Sequence, residues 1–365
     1  MRRGLRSVGR RRTGASTADR PRGGSGLPII GWFAKFSGST MTSGRTWMRS
    51  VIRRTATGLI GASLALTAVV TAPATAAGRE TAAIKCNDSG EGGRAFYHGP
   101  SAGDVYDGKF RQGNPIPGLS EGYVPQGLGA WKNWDGAGHD MMLVSMYMDG
   151  YKGRVYGIEA GTSKVFGPVD IRSAHAGGVA VVKGWVFVPG DNNRSMNKYK
   201  AADLAAKFKA GGRQTLAPNG PAQKVGGASF LTGYGGVLYT GHFDEDRMYT
   251  YAVNGATGRL EKTATYKTPD KTQGVMVTRT HFVYSTSYGR KNPSNIHVVA
   301  RGKNIDHRSA KCFQAPSMSE GIADYEGTAW LLYESGATGQ YPGARNVIKH
   351  LHWARTADLP KFTAG

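Results

Sequence analysis

The sequence has few of the residues and motifs that usually reveal an activity. It contains only two cysteines in 365 residues, and acidic residues are scarce, 25 against 47 lysines and arginines. None of its nine histidines is paired at the spacing H-x-x-x-H. No phosphate-cradling glycine loop and no calcium-loop spacing is present. These absences argue against a helical zinc site, a phosphate-loop enzyme and an EF-hand protein.

The sequence also lacks an apolar run long enough to span a bilayer. The apolar stretch 59–70 is too short, but it follows a cationic start at Met48 and precedes Ala74-Thr75-Ala76. This order predicts a secretory signal peptide over residues 48–76, a secreted, extracellular protein, and no membrane span after cleavage. Residues 1–47 are interpreted as a mis-assigned or disordered leader, with Met41 or Met48 as the true start.

The excess of positive charge lies largely in this leader. Residues 1–76 hold 13 lysines and arginines and one acid, Asp19, so that residues 77–365 carry 34 basic and 24 acidic residues. The remaining charge of +10 permits attraction to an anionic cell-wall polymer, but a plain basic secreted protein is the favoured interpretation. We expect no nucleic-acid partner and a monomer.

The two cysteines, Cys86 and Cys312, both lie in the exported part. Paired cysteines in an oxidising compartment usually form a disulfide, and neither has a histidine or cysteine partner nearby in sequence. The sequence therefore predicts a Cys86–Cys312 disulfide that joins the N-terminal segment to the last repeat.

A repeated segment determines the predicted fold. Five short segments consist of a glycine followed by apolar residues, and their glycines are Gly127, Gly178, Gly227, Gly274 and Gly321. Successive glycines are 51, 49, 47 and 47 residues apart. A period of roughly 40–50 residues built from short strands is typical of β-propeller blades. We therefore predict an all-β, five-bladed β-propeller over residues 121–365, with blades that start near 125, 176, 225, 272 and 319.

The fifth repeat lacks a fourth strand, which the N-terminal closing segment 77–120 is expected to supply. The stretch 82–86 is the natural candidate, because a strand taken from the other end of the chain closes the ring and removes its exposed edges. Residues 201–208 interrupt the second blade and predict a short helical insertion.

Polar residues gather at one end of the predicted strands. Neighbouring strands in a blade are antiparallel, so the start of the first strand and the end of the second lie on the same face. This places polar and aromatic residues of five blades at one mouth of the central channel, where we expect an extracellular small molecule, peptide or glycan to bind. The candidate ligand-binding residues are Gln126, His175, Asp191, Asn192, His242, Asp244, Gln273, Tyr288, Arg290 and Tyr333.

Two glutamates are the candidate catalytic residues, Glu320 and Glu334. Crowding in the channel favours a raised pKa for Glu320 and a general acid or base role, for which metal-assisted hydrolysis is one candidate reaction. A purely structural carboxylate that is hydrogen-bonded to neighbouring blades is the alternative. Carboxylate oxygens of Glu320, Asp191 and Asp244 are also candidate Ca²⁺ ligands.

Two segments carry a resemblance to a known family. Thr272-Gln273-Gly274-Val275, followed by Ser287-Tyr288-Gly289-Arg290, resembles a pattern of glutaminyl-peptide cyclotransferases of the plant and bacterial type. The resemblance implies a five-bladed propeller with a catalytic glutamate in a Y-E-S-T-G segment. The match to that glutamate is Glu334, in Tyr333-Glu334-Ser335-Gly336, whereas Ser285 stands at its place in the preceding blade. The wider pattern is similar to secreted bacterial propellers of the YVTN-like kind.

Two functions follow as hypotheses. The first is a secreted propeller that binds a ligand at the channel mouth. The second is an enzyme, either a cyclotransferase that uses Glu334 or a metal-assisted hydrolase that uses Glu320.

Overall fold

The computed structural model describes residues 86–87, 96–150, 152–306 and 310–363. All of them belong to one compact unit, Ala76–Gly365. The predictions for the leader, the signal peptide and residues 82–85 lie outside the described residues. Within the described part of the chain, no helix is both long and apolar enough to cross a membrane.

The strands form five sheets, which confirms the five-bladed propeller. Helix α1 (Asp104–Lys109) and strand β1 (Arg111–Pro115) precede them. The first blade contains β2 (Val124–Trp131), β3 (Met141–Met148), β4 (Lys152–Glu159) and β5 (Val165–Arg172). The second contains β6 (Ala180–Val182), β7 (Trp185–Pro189), β8 (Ser195–Lys200) and β10 (Gln223–Lys224), and helix α2 (Ala201–Ala210) and strand β9 (Gln214–Thr215) lie between β8 and β10 in sequence. Strand β9 pairs in parallel with β5 of the first blade, whereas β10 completes the second.

The remaining blades follow the same antiparallel order. The third contains β11 (Phe230–Tyr234), β12 (Val237–Gly241), β13 (Arg247–Val253) and β14 (Leu260–Lys267). The fourth contains β15 (Thr272–Val277), β16 (His281–Thr286), β17 (Ser294–Ala300) and β18 (Lys311–Ala315). The fifth contains β19 (Ser319–Tyr325), β20 (Thr328–Tyr333) and β21 (His350–Arg355), and helix α3 (Leu359–Phe362) comes after it. The predicted insertion at 201–208 is α2.

The fourth strand of the fifth blade is β1, which pairs with β21 in antiparallel register. The expectation that residues 82–86 fill this place was wrong. Asn87, next to Cys86, instead forms an isolated parallel bridge with Phe313 of β18. An N-terminal strand does close the ring, but it comes from a segment 29 residues further along the chain.

The repeated glycines allow the inner strands to approach one another around the axis. A Cβ atom on Gly274 would lie 2.4 Å from the carbonyl oxygen of Glu320, and one on Gly321 would lie 2.4 Å from the backbone nitrogen of Leu128. A Cβ on Gly127 would lie 2.3 Å from the Cα of Gly178. Real Cβ atoms do not approach backbone this closely, so any larger residue would push neighbouring blades apart. This steric need explains the period of the sequence pattern.

A buried apolar cluster fills the space between each pair of adjacent blades. The cluster between the fourth and fifth blades also takes in residues of α1 and α3, such as Tyr106 and Phe362. Helix α2 packs its buried Leu204 and Phe208 onto the cluster between the first and second blades. The N-terminal and C-terminal segments are thus part of the core.

The predicted disulfide is present. Cys86 and Cys312 are bonded, with Cα atoms 4.6 Å apart. Cys312 lies in β18, so the bond joins the N-terminal segment to the outer strand of the fourth blade, not to the fifth as expected.

Candidate functional site

Three inner strands share a bulge that sets the position of their polar residue. The register shifts between Pro125 and Gly127 in β2, between Thr272 and Gly274 in β15, and between Ser319 and Ile322 in β19. A bulge leaves its extra residue outside the hydrogen-bonded ladder and redirects its side chain. The bulged residues include Gln126, Gln273 and Glu320, which were predicted to lie at the mouth.

Glu334 lies beside this ring of bulges. It follows β20 in a short 3-10 turn, Glu334–Gly336, and the side-chain amide of Gln126 donates a hydrogen bond of 2.8 Å to its Oε2. The hydroxyl of Tyr341 hydrogen-bonds to the same carboxyl group. Burial raises the pKa of Glu334 to about 7, although both hydrogen bonds and the positive charge of Arg290 act in the opposite direction. The carboxyl group therefore exchanges its proton near neutral pH.

Glu320 is a second carboxyl group close to Glu334. Its side chain is fully buried, and neither of its oxygens has a hydrogen-bond partner among the described residues. Burial raises its pKa well above the usual range, and the negative charge of Glu334 acts in the same direction. Burying an ionised carboxylate without a partner is very costly, so Glu320 is held in its neutral form.

Aromatic residues cover the two carboxyl groups. The hydroxyl groups of Tyr147 and Tyr341 are 3.2 Å apart, and the ring of Tyr147 lies 4.2 Å from that of His175. Burial lowers the pKa of His175, although the negative charge of Asp149 acts in the opposite direction. The lowered pKa keeps the imidazole neutral. The guanidinium carbon of Arg290 lies 5.2 Å from the ring centre of Tyr341.

A separate group of residues joins the third and fourth blades. Asp244 forms an ion pair of 2.7 Å with Lys271, and the backbone N–H of Asp244 donates to Nδ1 of His242. The ammonium group of Lys271 lies 4.7 Å from the ring centre of Phe243 and 5.4 Å from that of Tyr288. Tyr288 is 63% exposed, so it is one of the few large aromatic side chains open to a ligand. Among the described residues, no hydrogen bond or ion pair links this group to Glu334.

Three predicted ligand-binding residues are engaged elsewhere. Asp191 forms a two-pronged ion pair with Arg172, and the side-chain carbonyl of Asn192 accepts from the backbone of Arg194. Tyr333 is fully buried and its hydroxyl bonds to that of Tyr106 at 2.5 Å, in the core between the fourth and fifth blades. Tyr333 is on the wrong face of its strand for the channel mouth, and its position is that of a core residue.

The proposed calcium ligands are not brought together. Asp191 and Asp244 are each paired with a cation of their own, Arg172 and Lys271, whereas Glu320 lies next to Glu334. Among the described residues, the one group of three metal-type ligands is Cys86, His297 and Cys312. Its two cysteines are joined in the disulfide, so their sulfur atoms are not available as thiolates.

Residues 118–122 match the pattern G-x-S-x-G, which can mark a nucleophilic serine. Ser120 lies exposed in a 3-10 turn, Leu119–Glu121, instead of on a sharp turn between a strand and a helix. Its neighbour Glu121 is bonded to Arg154 and Tyr156. Among the described residues, no hydrogen bond joins the Ser120 side chain to a histidine. The segment has a structural role through Glu121.

Comparisons with known proteins do not assign the chain to a family. No family model matches it, and no curated protein matches it. Among solved structures, glutaminyl cyclase from Myxococcus xanthus is 9% identical and has a TM-score of 0.43, covering 67% of this chain and 97% of that chain. A luciferin-regenerating enzyme is 9% identical with a TM-score of 0.38, covering 64% and 91%, and a nidogen–laminin complex is 8% identical with a TM-score of 0.36, covering 58% and 73%. Likenesses at this level carry no argument about activity, so a functional hypothesis must come from this chain's own residues.

Proposed function

We propose that the protein binds a small extracellular ligand at the channel mouth and exchanges a proton with it through Glu334. The observation that carries this proposal is the setting of Glu334. Its carboxyl group is held by Gln126 from another blade and by Tyr341, beside the second buried carboxyl group of Glu320. A fixed carboxyl group whose pKa of about 7 lies near neutral pH is suited to general acid–base catalysis.

The other groups at the site fit this role. Gln126 fixes one oxygen of Glu334 and leaves the carboxyl group in one orientation, as proton transfer requires. Glu320 has no hydrogen-bond partner among the described residues, and burial, which raises the pKa of Glu334, favours the protonated form of that carboxyl group. Arg290 favours the ionised form. The balance keeps both protonation states of Glu334 accessible.

Cyclisation of N-terminal glutamine is the specific reaction that we propose to test. One observation favours it. In the resemblance of Tyr333-Glu334-Ser335-Gly336 to the cyclotransferase segment, Glu334 matches the catalytic glutamate, and Glu334 is also the residue that Gln126 holds by a hydrogen bond. In this reaction the α-amine nitrogen attacks the side-chain amide carbon, the bond to the amide nitrogen breaks, and ammonia leaves. Glu334 would accept the proton from the attacking amine and return it to the leaving nitrogen.

The experiment uses the purified protein and peptides that begin with glutamine. We expect pyroglutamyl product from the wild-type protein, none from Glu334→Gln, and full activity from Glu326→Gln, a matched control at an exposed carboxylate that pairs with Lys132. Absence of product with the wild-type protein would reject the cyclotransferase.

The wider proposal of proton exchange has its own test. In protein labelled with ¹³C at the glutamate carboxyl groups, NMR should detect one carboxyl signal that titrates near pH 7 and is absent in Glu334→Gln. A signal for Glu334 that titrates near 4.5 would remove the basis for acid–base chemistry at this site.

A further inference from the structure

The loop between Glu334 and β21 covers the candidate site. Residues 337–345, which we term the lid loop, follow the 3-10 turn that carries Glu334. Most of the loop is exposed, but the side chain of Tyr341 is turned inward, against Tyr147 and the carboxyl group of Glu334. Tyr341 is thus the residue through which the loop closes the mouth.

A small number of contacts attaches the lid loop to other blades. The side-chain amide of Gln340 donates to the carbonyl of Gly122, and the backbone N–H of Arg345 donates to the carbonyl of Arg290, each at 2.8 Å. The Arg290 guanidinium adds a weak hydrogen bond of 3.4 Å to the carbonyl of Pro342 and a contact to the Tyr341 ring. Only the first residue, Ala337, is buried, and none of residues 338–345 is. A segment with few buried apolar contacts opens at a low free-energy cost.

We propose that the lid loop is a movable cover and that Tyr341 determines which ligands enter. The Tyr341 hydroxyl lies against Glu334, at the position where a hydrogen-bond donor of a bound ligand would have to lie. This inference rests on the proposed function. Its physical basis is that Gln126 and Glu320 are fully buried, and that Tyr341, on an exposed loop, lies against Tyr147 and beside Glu334.

The displaced side chain indicates the class of ligand. An incoming group must offer an N–H or O–H donor to replace the Tyr341 hydroxyl on Glu334. It must also be planar to take the position of the phenol ring next to Arg290 and Tyr147. An amide or an aromatic alcohol meets both conditions, whereas an aliphatic chain or an anion lacks the donor.

The test measures access to the site without a ligand. Both native cysteines are in the disulfide, so an introduced cysteine is the one free thiol of the protein. Gln126→Cys places that thiol beside Glu334 and leaves the contacts of Tyr341 in place. Its rate of alkylation by iodoacetamide is compared with that of the double variant Gln126→Cys/Tyr341→Ala, in which the cover is removed.

We expect the double variant to react roughly tenfold faster, because loss of the Tyr341 contacts favours the open loop. Ser285→Cys is the matched control. Ser285 is fully buried where it bonds to Ser319 of the next blade, and Tyr341→Ala should leave its alkylation rate unchanged. An unchanged rate at position 126, or an equal increase at both positions, would overturn the proposal.

Amide hydrogen exchange on the wild-type protein gives a second test that needs no variant. Residues 337–345 should exchange faster than β20, although the loop lies against the core. Equal protection of loop and strand would also overturn the proposal. Neither measurement depends on turnover, so a failed peptide assay and a rigid loop are separate outcomes.

Discussion

Replacement of Glu334 by glutamine should change how the stability of the protein depends on pH. The pKa of Glu334 in the folded protein is about 7, against an ordinary value of 4.5 that applies to the unfolded chain. Between these two values the folded protein holds a proton that the unfolded chain releases. The folded state is therefore favoured most at low pH, and this contribution is lost as the pH rises through 7.

The magnitude follows from the same two values. A difference between 4.5 and about 7 corresponds to about 3.4 kcal/mol when the titration is complete, at 1.36 kcal/mol for each pH unit. Between pH 5 and pH 8 the wild-type protein should lose about 2.5 kcal/mol of this, because titration has already begun at the lower limit. Glu334→Gln has a neutral side chain of the same shape at every pH, so the variant does not lose this contribution to the free energy of unfolding.

Urea unfolding at about pH 5 and about pH 8 measures the effect. We expect the free energy of unfolding of Glu334→Gln, relative to wild type, to rise by about 2.5 kcal/mol between the two conditions, because a weaker hydrogen bond to Gln126 in the variant affects both conditions equally. Glu326→Gln should show no such change, because that carboxylate is exposed. If wild type and Glu334→Gln lose stability in parallel, the carboxyl group is not protonated in the folded protein and the reasoning fails.

Two other predictions concern the fold. Gly321→Ala should destabilise the protein by about 3 kcal/mol in thermal or urea unfolding, because its Cβ would lie 2.4 Å from the backbone of Leu128, whereas Gly108→Ala, with nothing within 4 Å, should have little effect. Equal effects of the two substitutions would contradict the packing of the inner strands. The double variant Cys86→Ser/Cys312→Ser should lose up to about 5 kcal/mol on the chain-entropy model, because the bond closes a loop of 226 residues. A midpoint of unfolding that stays the same under reducing conditions would show that the disulfide adds no stability.

The fold could be predicted from the sequence because its steric requirement recurs. Each blade needs a residue without a side chain where its inner strand meets a neighbour, and Gly127, Gly274 and Gly321 meet that need. The closing strand could not be predicted in the same way. Residues 111–115 pair at the edge of the sheet with mostly exposed side chains, so they have no alternation of apolar residues. The stretch 82–86 is more apolar and therefore matches a strand pattern better, but β1 is the strand that closes the ring.

Part of the site could also be predicted, because the repeat determines where the strands of each blade begin and end. Gln126 and Glu334 come from strand ends, whose position the antiparallel order determines, and the structure joins them by a hydrogen bond. Tyr341 and Lys271 were missed because they lie in loops, outside the repeat. Asp191 was included because it follows a strand, but the adjacent Arg172 binds it. Loop pairing of this kind depends on the lengths and turns of each connection, which a repeat pattern does not contain.

The location of the site follows from how the ring is closed. Gln126 belongs to the first blade and Glu334 to the fifth, and their hydrogen bond joins residues 208 positions apart. The inner strands β19 and β2 meet at this junction, where Gly321 packs on Leu128. On the outer side of the fifth blade, β1 pairs with β21 and leads directly into the first blade. The hydrogen bond between Gln126 and Glu334 therefore exists only in the closed ring, since an open chain of the same blades would leave Glu334 without the amide of Gln126 that orients it.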